Sequence, residues 1–222
     1  MRLNKHSLYI LFCLIILLPF PGWCGVTTSH GLTLFGKLKY GPDFKHFDYV
    51  NPDAPKGGSY TYGWSNSFDS VNPFITLGTA PVSLDVLLYD SLMVRSGDEP
   101  ASVYGLVAKS ITLPDDYSWA EFRLRKSARW HDGTPITPDD VIFSLQTLKT
   151  KGSPRYRGNY ADVEKVEKTG PHRVRFIFRE AGNRSLAYTV AQMPVLPKHF
   201  WRVQGRFVSP GLTRGTPSPS NA

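Results

Sequence analysis

Catalysis needs nucleophiles, bases or metal ligands that converge on one point. In this 222-residue chain the closest approach to such a set is His131-Asp132, which could be half of an acid–base pair. The two are neighbours in a turn, and adjacent side chains there point apart, so Asp132-Gly133 reads as the turn itself. Asp139 and Asp140 suggest metal or acid–base work until their place at a helix start is considered. The six histidines, His6, His30, His46, His131, His172 and His199, show no ligand spacing within one helix or hairpin, and no metal site is expected. Lys56-Gly57-Gly58-Ser59 has the composition of a phosphate loop, but its glycines precede a strand pattern where a helix start is required. No G-x-x-x-x-G-K-S/T loop, G-x-S-x-G elbow or H-E-x-x-H helix occurs, so neither cofactor nor catalytic residue is expected. Triads assemble from distant positions, so a secreted hydrolase stays open as an alternative.

The elements around these residues are well marked. Ala120, Phe122 and Leu124 alternate with Glu121, Arg123 and Arg125, the period of a half-buried strand. Thr137 can cap a helix, Pro138 suits its first position, and Thr137 with Asp140 has capping-box spacing. Val141, Leu145 and Leu148, flanked by Ile142, then recur on one helical face until Gly152 and Pro154. Ile111–Leu113 and Trp119–Arg125 flank a hairpin turn at Pro114–Tyr117, and a second hairpin spans 163–168 and 172–179, burying Val174, Phe176 and Phe178. Pro81–Leu92 predicts a helix with Leu84, Leu87, Leu88 and Leu92 inward. Asn183 can cap a helix through Gln192, and Pro197 can open another.

Residues 30–57 are rich in aromatics and prolines without a period, as in a segment that lies over a larger body. Gly58–Ser65 alternates like a strand, with Tyr60, Tyr62 and Trp64 on one face. It runs into a polar loop, Asn66–Pro73, and ligands of open α/β sheets collect at strand carboxyl ends.

Arg2 and Lys5 precede an apolar run from Leu8 to Leu18, too short for a membrane span of about 20 residues and shaped like a secretory leader. Residues 1–29 are therefore expected to be a signal peptide, with the mature start between Gly25 and His30 at Gly22-x-Cys24 or Thr27-x-Ser29. Cys24 leaves lipid attachment open, although Pro21 and Trp23 fit that signal poorly. Cys13 and Cys24 both fall in this region, so the mature chain has no cysteine pair and must be held by core packing, for which 41% hydrophobic content suffices. The net charge of +8 is scattered among strands, a pattern of solvated faces; a basic nucleic-acid-associated protein is the other alternative. From Val208 the chain is rich in Pro, Ser, Thr and Gly, so 208–222 is expected to be disordered.

Three pieces of the central run, Phe122-Arg123-Leu124-Arg125, Trp130-His131-Asp132-Gly133 and Asp140-Val141-Ile142-Phe143-Ser144-Leu145, stand in a fixed order. Together they resemble the signature of extracellular solute-binding protein family five, the oligopeptide- and dipeptide-type receptors of ABC importers. Phe44–Gly58 is similar to the opening of the branch associated with microcin C and oligopeptide uptake. The resemblance implies an α/β fold of the type II periplasmic-binding-protein class, with residues 30–207 forming part of the first lobe together with its inserted small domain. It also implies a monomeric, periplasmic protein that encloses a peptide-like ligand between two lobes and presents it to an ABC permease of the inner membrane, without nucleic acid. The near wall of that cleft would be Trp64, Ser65, Asn66 and Phe68. The acidic residue that holds the peptide amino terminus belongs to the other lobe in this family. No Gly-Pro-Tyr run follows Pro197-Lys198-His199, so the chain is expected to be a truncated or frame-shifted product, leaving an apolar face uncovered and binding peptide weakly.

Overall fold

The computed structural model describes residues 25–203, apart from 62, 64 and 66. The expected leader core, the tail from 208, Trp64 and Asn66 lie outside the described residues. The chain opens with β1 (Val26–Ser29) and β2 (Gly31–Thr33), and a long irregular stretch leads to a short helix α1 (Leu84–Leu88). Then come β3 (Met93–Arg95), β4 (Ser102–Gly105) and the hairpin β5 (Ala108–Pro114) and β6 (Trp119–Leu124). Helices α2 (Pro138–Lys151) and α3 (Pro154–Asn159) precede the hairpin β7 (Val163–Gly170) and β8 (Arg173–Phe178), and α4 (Arg184–Ala191) and α5 (Lys198–Val203) follow.

Five strands form one sheet in the order β1-β5-β6-β8-β7, and β2-β4-β3 form a smaller one. Every named pair is antiparallel. The carboxyl-end rule of parallel sheets therefore has no purchase on these strands. The alternation in β6 works as expected on its apolar side, where Ala120, Phe122 and Leu124 are buried and Phe122 meets Phe176 edge-on at 5.6 Å. Val141, Leu145 and Leu148 of α2 belong to the same core. Glu121, on the opposite face of β6, is nevertheless buried. Thr169 Oγ1 (2.8 Å) and Arg175 Nη2 (3.0 Å) from β7 and β8 donate to its carboxylate. A central strand has neighbours on both sides, and their charges cover it.

Helix α2 starts as its sequence predicts, with a capping box at Thr137 and Asp140. Asp140 does more than cap. Its Oδ2 accepts the Thr137 N–H at 2.9 Å and hydroxyl at 2.8 Å, while Oδ1 accepts the Lys198 N–H at 3.0 Å. One turn on, Ser144 Oγ donates to the Asp140 carbonyl at 2.6 Å and accepts the Leu196 N–H at 2.7 Å. Asp140 is 5% exposed and Ser144 fully buried.

The aromatic stretch after β2 lies over the smaller sheet. Tyr40, Phe44 and Phe47 surround Tyr104 at centroid distances of 5.5, 5.1 and 5.7 Å. Beside them Lys39 Nζ sits 2.6 Å from Asp98 and 2.8 Å from Asp48, and Tyr40 donates to Asp98 at 2.5 Å. Hydrogen bonds from Lys39, Ser96 and Tyr40 hold the Asp98 carboxyl well below the usual carboxylate range.

Two elements differ from expectation. Gly58–Ser65 is not a strand: its described residues are unpaired and exposed, Tyr60 by 87%. Gly57 and Gly58 stand at φ 93° and 108°, outside the extended region a strand entry needs, and a β-prone sequence without a partner strand gains nothing from its alternation. The helix expected over 81–92 is only Leu84–Leu88. Ser83 enters it at φ 68° and Tyr89 leaves it extended, because the next residues are drawn into a bridge between Ser91 and Pro194. Leu92 is buried there as expected, whereas Leu87 and Leu88 point outward.

Removing the Asp140 carboxylate orphans three donors, two of them backbone amides, each costing about 1–3 kcal/mol when buried. Asp140→Ala is expected to lower the unfolding free energy by about 3 kcal/mol and Asp140→Asn by clearly less, measured by urea denaturation. The Asp98 pair has a depressed folded pKa, so its contribution is complete above the unfolded value of about 3.9 and is lost as pH falls below it. Asp98→Asn should lower the unfolding midpoint at pH 6 and make the fall in midpoint between pH 4 and 2 shallower, read by circular dichroism.

Candidate functional site

The residues proposed for a ligand wall lie on the irregular stretch before α1. Ser65 and Phe68 are exposed, Phe68 by 50%. The chain past them closes into a compact loop. The N–H groups of Asp69 and Ser70 both donate to the Thr79 carbonyl at 3.1 and 3.2 Å, and Thr79 N–H returns to Asp69 Oδ1 at 2.6 Å. Gly78, at φ 86°, lies so close that a Cβ would stand 2.8 Å from Asp69 Oδ1. Inside the loop Asn72 Oδ1 accepts the Phe74 N–H at 3.0 Å, and the Phe74 carbonyl accepts the Ser153 N–H at 2.7 Å, which ties the loop to the start of α3. Phe74 is fully buried between Tyr89 and Tyr156, at 4.8 and 5.6 Å.

The loop and α1 also leave apolar side chains outside. Phe68, Leu77, Val82, Val86 and Leu87 are exposed, Leu87 by 75%. Beside α1 a cleft of about 550 Å3 opens between α1, β3, α3 and α4, with Val86 in its lining. Its lining includes Tyr89, Tyr156, Tyr160 and Tyr188 with Arg95, Arg155 and Asp85. Burial pushes the Tyr89 and Tyr156 phenols up to about 12, with the Asp85 charge adding to the effect at Tyr156, and burial raises Tyr160 further. All three are neutral hydrogen-bonding groups at physiological pH. The cleft thus offers aromatic area, phenols and guanidiniums, which suits holding a polar ligand with some apolar surface. Sequence reading missed it, although Tyr156 and Tyr160 stand four apart, a spacing that places both on one helical face.

Asp132 does make its turn, accepting the Thr134 N–H at 2.9 Å and hydroxyl at 2.7 Å, with Gly133 at φ 83°. Those bonds, and then His199, hold its carboxyl down at about 2. The partnership with His199 was not legible: Nε2 lies 2.7 Å from Asp132 Oδ2, across 67 residues. Thr134 Oγ1 is 3.5 Å from the same Nε2. A relay needs base and orienting acid on different ring nitrogens, and here hydroxyl and carboxylate share one. Its hydroxyl hydrogen is already committed to Asp132, so the cluster fastens the turn to α5. His131 stands outside it. Among the described residues no group of three or more His, Cys, Asp or Glu could hold a metal ion, and no helix is long and apolar enough to cross a membrane.

Comparison with known proteins gives this geometry its relatives. The chain is 44% identical over 178 residues to the peptidoglycan-binding protein YepA of Agrobacterium fabrum, covering 77% of this chain and 29% of that protein. It is 41% identical over 190 residues to YejA of the same organism, named a probable peptide-binding protein, covering 85% and 31%. It thus spans less than a third of the length of these relatives. Among solved structures, the binding protein MoaA of A. tumefaciens R10, in complex with mannopinic acid, superposes with a TM-score of 0.50 at 24% identity, over 61% of this chain and 29% of that one. That likeness fixes the fold as the α/β type of periplasmic binding proteins. The family model described as bacterial extracellular solute-binding proteins, family 5, middle part, matches residues 102–215, about half of the sequence. The chain therefore belongs to the family 5 extracellular solute-binding proteins.

Proposed function

We propose that this chain is part of a periplasmic receptor that captures peptides or peptide-like compounds and hands them to an ABC permease of the inner membrane. The observation that carries the reading is the tyrosine- and arginine-lined cleft, with the exposed Val86 of α1 at its border, in a chain of this family. Of the two relatives, YejA is named a probable peptide-binding protein and YepA a peptidoglycan-binding protein, and both names support a ligand with peptide bonds. Trp64, Ser65, Asn66 and Phe68 are proposed as the near wall, with the ligand backbone running along the irregular stretch. The protein acts as a monomer, is exported by a leader within residues 1–29, and captures without making or breaking a bond. Residues 30–207 are proposed as the solute-binding part.

A ligand gains most of its affinity by being enclosed, and a single open wall buries about half of its surface. Calorimetry of short peptides against the purified 222-residue chain is expected to show binding weaker than about 100 μM. Micromolar affinity would overturn the one-wall reading, and appearance of cleaved peptide in the same mixtures would favour a hydrolase instead. The exposed Val86 and Leu87 also predict that the isolated 222-residue chain, unlike the whole receptor, self-associates at high concentration. Replacing Val86 and Leu87 together with Glu should shift light scattering of concentrated samples toward monomer and leave the unfolding midpoint within about 2 °C, since both side chains are exposed.

A further inference from the structure

We infer that the exported chain is cut between Cys24 and Gly25, and that the new α-ammonium of Gly25 then pairs with the Asp115 carboxylate. The inference rests on the leader proposed above and goes beyond it by choosing one bond. The sequence offers two places with small residues three and one before the bond, Gly22-x-Cys24 and Thr27-x-Ser29.

The folded body treats the two places differently. Val26–Ser29 is β1, registered on β5 from Val26 opposite Pro114 to Ser29 opposite Ile111. The hydroxyls of Thr28 and Thr112 meet across the pair at 2.8 Å. A cut after Ser29 would delete this strand and bare the backbone edge of β5. A cut after Cys24 keeps every pair.

Gly25 itself is held by a reciprocal contact. Its nitrogen lies 3.0 Å from Asp115 Oδ2, and its carbonyl accepts the Asp115 N–H at 2.9 Å. A Cβ at this position would stand 2.6 Å from Asp115 Oδ2, so a residue without a side chain is what lets the carboxylate approach the nitrogen. While Cys24 remains attached, that nitrogen is an amide with a single hydrogen. Hydrolysis breaks the Cys24 carbonyl to Gly25 nitrogen bond: the hydroxyl of a water joins the Cys24 carbonyl carbon and its hydrogen joins the nitrogen. An α-amine has an ordinary pKa of about 7.7–8.0, so near neutral pH it takes a further proton from solvent. The neutral donor facing Asp115 becomes a cation with three hydrogens, in place for a charge-assisted hydrogen bond. Cleavage ahead of Cys24, as a lipid anchor requires, would leave the amide and forgo this pair.

Expression of the full chain in a bacterial host, followed by intact mass and N-terminal sequencing of the exported product, tests the assignment. The expected product begins at Gly25. A product beginning at His30 or any other residue, or a lipid-bearing Cys24, would overturn the inference while leaving the leader intact. A chain still beginning at Met1 would sink the leader reading itself. Asp115→Asn leaves the leader untouched and is expected to give the same terminus with an unfolding midpoint lowered by about 2 °C. That loss should shrink by half or more in a chain with one alanine before Gly25. An unchanged midpoint, or an equal loss in the two chains, would overturn the ammonium pairing.

Discussion

One buried carboxylate ties the helix of this molecule to the strap that crosses it. Asp140 serves its own helix start with one oxygen and the first amide of α5 with the other. Ser144, a turn away, repeats the arrangement by taking the Leu196 amide. With these two acceptors in place, residues 194–198 can lie across α2, and Val195 and Leu196 bury completely. The strap then reaches the other side of the molecule. Leu92 N–H donates to the Met193 carbonyl at 3.2 Å and Val195 N–H to the Asp90 carbonyl at 2.9 Å, which sets the link between α1 and β3 that floors the cleft. A polar pair on the buried side of a helix thus positions a cleft it never touches.

This also gives a physical sense to the Asp-Val-x-x-Ser-Leu run. Val141 and Leu145 pack on the sheet, while Asp140 and Ser144, four apart on a neighbouring strip of the same helix, meet backbone groups that would otherwise be stranded in the interior. Read from sequence, Asp140 is a cap and Ser144 carries no signal, because what they hold lies 52 to 58 residues downstream. The cap and the apolar face were legible since both depend on neighbours in the chain.

The same divide runs through the rest of the fold. Both hairpins, α2 and the Asn183 cap of α4 follow from periods and turn residues within a few positions, and Asn183 Oδ1 accepts the Leu186 N–H at 2.9 Å as its type suggests. The stretch before β3 is where local reading fails. Tyr60 alternates like a strand residue with no strand to join, and Leu87 has helical spacing on a helix too short to bury it. The Asp132–His199 contact and the tyrosine cleft are likewise products of tertiary placement. Of the proposed near wall, Ser65 and Phe68 are at the surface and neither lines that cleft, and their type and spacing alone gave no view of Tyr89 or Tyr188.

The five-stranded sheet ends differently at its two sides. On β7 the outermost residues include Glu164, Lys165, Glu167 and Lys168, with a 2.5 Å ion pair between Lys165 and Glu167. Charges of both signs along a border strand discourage another chain from hydrogen-bonding alongside it. The opposite border, β1, is Val-Thr-Thr-Ser, uncharged and mostly exposed. Among the described residues, its four-residue length is what limits templating there. Among the described residues, cross-β stacking is opposed by composition on one flank and by brevity on the other, so lengthening β1 by a few β-prone residues would weaken the protection of that flank.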